Sequence, residues 1–195
     1  MDTTEWNLAQ KFEIDWWGDC LDTIGEELKQ KTYAKLMGLK PYAYDLKHKS
    51  VIDFGGGVVS LLLKYVNRGV CYVVDPIPMP EWVKLRYKEN GITLLNIKAE
   101  DYNPKLSVFD EAWMYNCLQH TDDPKKIVRN MRASSKIIRV FEWVDTGTAP
   151  GHIHNLTEKE LNRWFGGEGK VGQIKESGAY GKAYFGVFKG DHYEK

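Results

Sequence analysis

The stretch VIDFGGGVVSLLLK, from Val51 to Lys64, decides the fold of this chain. Val51 and Ile52 have the unbroken apolar character of a strand buried on both faces. Asp53 follows, Gly55, Gly56 and Gly57 form a turn that can take backbone angles closed to other residues, and Val58 to Lys64 continues as an apolar helix. A nucleotide-like ligand approaches such a turn closely. Twenty-two residues after Asp53 a second apolar run, VCYVVD, ends in Asp75. That spacing places the Asp75 carboxylate to accept hydrogen bonds from a ribose.

Outward from this unit, strand and helix signals alternate. Thr3 to Met37 carries apolar residues at helical spacing, with Phe12, Trp16 and Cys20 on one stripe and Trp17, Leu21, Ile24 and Leu28 on another; Gly18 and Gly25 are its candidate breaks. Trp6, Trp16 and Trp17 read as core anchors of this helical preamble. Pro41 and the lysine-bearing stretch around His48 connect it to the first strand, Val51 to Phe54. Further strands are expected at Val70 to Asp75, Ile92 to Ile97, Phe109 to Cys117 and Lys136 to Trp143. A helix starts at Pro80 and runs through Glu89. Asp123 and Pro124 cap a second, ending near Arg132, and Thr157 with Glu160 forms a capping box for a third, with Leu156 and Leu161 at the staple positions. The chain closes with strands at Val171 to Lys175 and Tyr180 to Phe188, joined at Ser177 and Gly178, a tail short enough to favour an antiparallel pair. The expected fold is α/β: a Rossmann-like, doubly wound, mostly parallel seven-stranded sheet with a C-terminal antiparallel hairpin and an N-terminal helical cap. It is a single domain over 1–195, with the cap at 1–40 and the core at 50–195.

Composition narrows the class. The 195 residues hold 27 Lys plus Arg against 27 Asp plus Glu, so the overall balance announces neither a polyanion nor a membrane surface as partner. Lys125, Lys126, Arg129 and Arg132 share one helical segment and read as a solvated face, giving no nucleic-acid signal. Cys20, Cys71 and Cys117 are scattered and odd in number, which argues against a disulfide framework and a zinc cluster and for buried thiols in a reducing compartment. The N-terminus, MDTTEWNLAQ, is polar and acidic, and no apolar run approaches the roughly 20 residues of a membrane span. A soluble, cytoplasmic protein is expected.

With Asp53, Gly55 and Gly57 in the pattern D-x-G-x-G, Asp75 closing the second strand, Ala99-Glu100-Asp101 after the third, and FDEAWMYNCLQH from Phe109 to His120 at the fourth, the chain resembles the class I S-adenosylmethionine-dependent methyltransferases. The resemblance covers about two thirds of the sequence, and the closing hairpin matches the reversed strand of that fold. Val59 departs from it, standing where a third glycine often lies and narrowing the turn. The resemblance implies S-adenosyl-L-methionine as cofactor, held by Asp53, Gly55, Gly56, Gly57, Asp75, Glu100, Asp101 and Asn116, with Glu100 or Asp101 toward the adenine amino group. The blander reading of Glu100 and Asp101 is a solvated acid pair.

Methyl transfer to a hydroxyl needs a base near neutral pH, and His120, His152 and His154 are the candidates. His120 ends the fourth strand, where it faces substrate or cofactor or else bonds a neighbouring carbonyl. His152 and His154, in GHIH, occupy a loop whose far end is fixed by the Thr157-Glu160 box, so Gly151 to Leu156 is expected to form part of the acceptor pocket. No cysteine or acidic cluster completes a metal set around them, and no metal is expected. The turn after the fourth strand lacks an Asn/Asp-Pro-Pro-aromatic sequence and no Pro-Cys pair occurs, which points to a small-molecule acceptor rather than a nucleic acid. Two alternatives share the sequence features. An NAD(P)-binding oxidoreductase uses the same turn, though Ser60 stands where its G-x-G-x-x-G needs glycine. A catalytically silent S-adenosylmethionine-binding protein would keep the pocket alone.

Overall fold

A computed structural model describes residues 3–18, 23–40, 44–176 and 179–194. Two helices, α1 (Thr3–Trp16) and α2 (Ile24–Leu36), precede a seven-stranded sheet. Its strands are β1 (Val51–Phe54), β2 (Cys71–Val74), β3 (Ile92–Leu95), β4 (Phe109–Tyr115), β5 (Ser135–Trp143), β6 (Lys170–Glu176) and β7 (Ala179–Lys189). Their order is β3-β2-β1-β4-β5-β7-β6, with β7 antiparallel to both β5 and β6 and the first five strands parallel. The chain therefore reverses direction across the sheet between β1 and β4, whose registers place Asp53 beside Trp113. In sheets of this kind the crevice outside the strands' carboxyl ends at that reversal receives ligand.

Each face of the sheet buries its own cluster. Tyr33 of α2 and its C-cap Met37, with Val83 and Tyr87 of α3 (Glu81–Glu89), pack on Val51 and Trp113. On the other face Ile127 and Met131 of α4 (Pro124–Ser134) and Leu161 and Phe165 of α5 (Glu158–Phe165) pack on Ile52, Phe54 and Met114. The expected caps are present: Asp123 Oδ1 accepts from Lys126 N at 2.9 Å, and Thr157 Oγ1 accepts from Glu160 N while donating to Glu160 Oε2 at 2.6 Å. Leu156 and Leu161 are both buried.

Three local expectations are corrected. The helix from Val58 to Lys64 is replaced by a bend at Val58 and Val59 and one 3-10 turn, Leu61–Lys64. Val58, Val59, Leu61 and Leu62 are all buried, so no polar face exists to meet water. Arg68 Nη1 takes the carbonyls of Leu62 and Tyr65 at 2.6 and 2.8 Å, occupying acceptors that a longer helix needs. Gly25 does not break the preamble, since it lies inside α2. The apolar stripes of the cap are only partly core: Trp17 is buried in the core as expected, whereas Phe12, Trp16, Ile24 and Leu28 are exposed. The inward faces are mixed instead, with Trp6, Gln10, Glu13 and Trp17 spaced as one helical stripe and Glu26, Gln30, Tyr33 and Met37 as another. Cys20, Leu21, Pro41, Ser177 and Gly178 lie outside the described residues.

Candidate active site

At the carboxyl ends of β1, β2 and β4 a cavity with about 830 Å³ of open space, mouth included, lies between the sheet edge and the helical cap. Its floor begins with the glycine turn. Gly55 takes φ +73°, and a side chain there would fall on Cys117 Sγ, so glycine is required by left-handed backbone and by packing together. Gly57 N donates to Asp75 Oδ2 at 2.9 Å, and Ile77 N donates to Asp75 Oδ1 at 3.0 Å. One carboxylate thus binds the loop after β1 to the loop after β2. Burial pushes Asp75 up to about 6, against the two amide bonds that favour its charged form.

Asp53 lies beneath this floor rather than in the cavity. It is fully buried, and its Oδ2 accepts from Ser60 Oγ at 2.5 Å and from Tyr115 OH at 2.7 Å. Tyr115 OH in turn accepts from Leu61 N at 2.9 Å. Burial pushes Asp53 up to about 7, opposed by those two hydroxyls. The residue braces the turn from below, where the resemblance placed it at the ligand.

Other carboxylates brace the remaining loops in the same manner. Glu100 Oε1 accepts from Asp122 N and Asp123 N at 2.7 and 3.0 Å, at the start of α4. Glu142, on β5, accepts from Cys117 N and Leu118 N at 3.1 Å, and burial pushes it up to about 7. Glu100 lines the cavity; Asp101 faces an outer depression shared with Asp122, Lys126 and His154. Asn116 lines the cavity with left-handed φ +53°, its Oδ1 held by Gln119 Nε2 at 3.0 Å.

The roof was not read from the sequence. Trp6, Gln10, Glu13, Trp16 and Trp17 of α1 and its end, with Glu26 and Gln30 of α2, line the cavity from above. Trp17 covers the turn, its ring 3.1 Å from where a Gly57 side chain would begin. Lys98 Nζ stands 3.4 Å from the centroid of the Trp6 ring. The signal in the sequence was an acid and an amide, Glu13 and Gln10, on the same stripe as two tryptophans, a pattern unsuited to a dry core. Lys98, Tyr115, Cys117 and Thr121 also line the cavity.

The three histidines separate. His120 lines the cavity, and His152 lines a second cleft formed by Leu8, Ala9, Phe12, Ala149, Pro150 and Ile153 together with Glu5, Lys11 and Asp15. Their rings meet edge to face with centroids 4.8 Å apart, so the two clefts share a wall. His154 points away, with Nε2 2.8 Å from the Thr121 carbonyl oxygen. Gly151, at φ +86°, lies under the Phe12 ring, where a side chain would collide with it. Of the loop from Gly151 to Leu156, Gly151 to Ile153 line that second cleft, while His154 and the buried Leu156 do not. Among the described residues no group of three His, Cys, Asp or Glu side chains is arranged to hold a metal ion, and no helix is long and apolar enough to cross a membrane.

No protein-family model matches the sequence, and no curated protein matches it. Solved structures do. The chain is similar to a 1,6-didemethyltoxoflavin-N1-methyltransferase of Burkholderia thailandensis with 1,6-didemethyltoxoflavin and S-adenosylhomocysteine bound, at a TM-score of 0.67 and 14% identity over 94% of this chain and 88% of that one. It is also similar to the N-methyltransferase NodS of Bradyrhizobium japonicum WM9 in complex with S-adenosyl-l-homocysteine, at 0.60 and 11% over 85% and 88%. Magnesium protoporphyrin IX methyltransferase of Synechocystis PCC 6803, with bound SAM, gives 0.56 and 15% over 85% and 80%. Likeness at such identities establishes the fold: this is the Rossmann-like fold of class I methyltransferases.

Proposed function

We propose that the protein transfers a methyl group from S-adenosyl-L-methionine to a small-molecule acceptor. The observation that carries this reading is the make-up of the cavity: among the described residues four carboxylates, Glu13, Glu26, Asp75 and Glu100, and three indoles, Trp6, Trp16 and Trp17, line it with one lysine, Lys98. Such a lining suits an organic cation, through charge and through aromatic faces. The residues fit the cofactor part by part. Asp75 would hold the ribose hydroxyls, Ile77 and Ala99 would flank the adenine with Glu100 near its amino group, and the backbone of Gly55 to Gly57 would hold the amino-acid end. When bound, the cofactor supplies a methyl carbon on a positively charged sulfur; the acceptor's electron pair forms the new bond to that carbon while the carbon–sulfur pair leaves with sulfur.

The cleft beside His152 would receive the acceptor, and its wall with the cavity would bring His120 and His152 near the reacting atom. A dinucleotide fits less well. Its diphosphate requires a helix N-terminus or cations at the glycine turn, whereas here the turn leads into a bend and the lining is acidic.

Calorimetry with S-adenosylmethionine, S-adenosylhomocysteine and NADH tests the reading. Heat is expected from the first two at one shared site and none from NADH. Folded protein that gives no heat with millimolar S-adenosylmethionine removes it, and binding without product across an acceptor screen leaves the silent binding protein.

A further inference from the structure

Glu13 reaches the cavity from α1, and its Oε1 lies 3.0 Å from His120 Nδ1. The same nitrogen is 2.7 Å from the carbonyl oxygen of Gly151. Both neighbours only accept, so Nδ1 carries a hydrogen in either charge state and Nε2 is the atom that gains or loses a proton. Nε2 of His120 and Nε2 of His152 lie 3.3 and 3.5 Å from one group, the Gln119 amide nitrogen, in the wall between the clefts. The Gln119 backbone carbonyl also accepts from Ile153 N and His154 N at 2.9 and 3.2 Å, which fixes that wall to the loop.

We propose that Glu13 is a positioning residue that makes His120 a stronger proton acceptor when α1 is seated, so that the base for acceptor deprotonation is completed by the cap. This deepens, and rests on, the methyl-transfer reading. Among the described residues, the titratable groups facing His120 are Glu13 from α1, Glu26 from α2, Glu142 from β5 and His152 from the loop after β5. Glu142 is engaged by the amides of Cys117 and Leu118 and Glu26 is paired with Lys29 at 3.5 Å, which leaves Glu13 as the carboxylate in contact. Burial disfavours a charged imidazole, but the Glu13 carboxylate and the Gly151 carbonyl more than offset it and hold His120 above its ordinary value. A proton leaving the acceptor's oxygen or nitrogen goes to His120 Nε2, and the positive charge so formed lies against Glu13. The logic is that of any imidazole oriented and charge-stabilised by a carboxylate. Lifting α1 withdraws the carboxylate, and the proton then passes to solvent.

The test is a histidine-resolved NMR titration of the cofactor-free protein, with His120→Gln to assign the signal. The wild-type midpoint is expected above the ordinary histidine value of about 6.5. With Glu13→Gln it should fall below that value, because burial then decides the sign. Glu13→Asp retains the charge at a greater distance and should give an intermediate midpoint. Once an acceptor is in hand, kcat should rise with pH through the His120 midpoint, and Glu13→Gln should move that rise to lower pH and lower the plateau about tenfold. A wild-type midpoint below 6.5, or one that Glu13→Gln leaves in place, overturns the proposal. Neither result involves the cofactor, so it is distinct from an absence of binding heat, which bears on the methyl-transfer reading.

Discussion

The floor and the roof of the cavity are built by different means. The floor is a set of strand-end loops whose backbone amides are gripped by buried carboxylates: Asp75 on Gly57 and Ile77, Glu100 on Asp122 and Asp123, Glu142 on Cys117 and Leu118. The roof meets the floor through side chains: Glu13 on His120, Trp6 on Lys98, Phe12 over Gly151, Trp17 over Gly57. A floor fixed through backbone fails when one atom is out of place. A roof fixed through side chains loses its contacts in small steps, and so can open.

The largest expected effect comes from breaking the floor. Gly55→Ala combines a left-handed residue, about 1–2 kcal/mol, with overlap on Cys117, about 1–3 kcal/mol. Urea denaturation should show the sum, and adding Cys117→Ala should recover part of the overlap and none of the backbone cost. Recovery of the whole loss would make packing, not backbone angle, the reason for glycine. Next in size is Asp75→Ala, which removes acceptors of charged hydrogen bonds that contribute about 1.5–3 kcal/mol each. S-adenosylmethionine should bind at least tenfold more weakly by calorimetry, with Asp75→Asn between the two. Unchanged affinity would move the ribose contact elsewhere.

Acidity sharpens the contrast, because the floor's carboxylates titrate high. Asp53 and Glu142 sit at about 7 and Asp75 at about 6, above the ordinary 3.8 and 4.5 of these groups. Held above their unfolded values, they contribute stability that is fully present below about pH 4 and is lost as pH rises through 6 to 7. The unliganded protein should therefore melt at a higher temperature at pH 5 than at pH 8, as a thermal scan will show. Glu111 works in the opposite sense: burial raises it, but Arg139 at 2.6 Å, Lys49 at 2.7 Å and Trp113 hold it down at about 2, so its contribution changes only below that window. The smallest effect belongs to the roof. Trp6→Ala removes one indole face from the cavity; a cation–π contact from that face to a bound cofactor cation is worth about 0.5–1 kcal/mol, so cofactor binding should weaken two- to fivefold with little change in melting. A tenfold loss would mean that the roof is as rigid as the floor.

The same division sets how much was legible in the sequence. Strands β1 to β5 and their caps follow from local signals, and Gly55 to Gly57, Asp75 and Glu100 fall on the cavity because each stands at the end of a readable strand. Asp53 shares that position, but strand alternation turns its side chain beneath the turn, toward Ser60 and Tyr115. The bend at Val58 was hidden because an all-apolar run has the same appearance in a helix and in a buried loop. Glu13 and Trp6 were missed for a different reason. Their partners, His120 and Lys98, lie some hundred residues away in the chain, and no local periodicity records a contact of that range. His154 looked equivalent to His152 by spacing, since residues two apart share a face in extended chain, yet its Nε2 lies against the Thr121 carbonyl.

The bond from Gly57 N to Asp75 Oδ2 has a kinetic consequence. Its amide proton exchanges with solvent only when the turn lets go of the carboxylate. If a ribose occupies that carboxylate too, release of the turn requires release of the ligand, and exchange at Gly57 slows by the factor 1 + [L]/Kd, about a hundredfold at a hundred times Kd. A single backbone hydrogen thus becomes a clock for occupancy, readable without an acceptor, a product or a turnover.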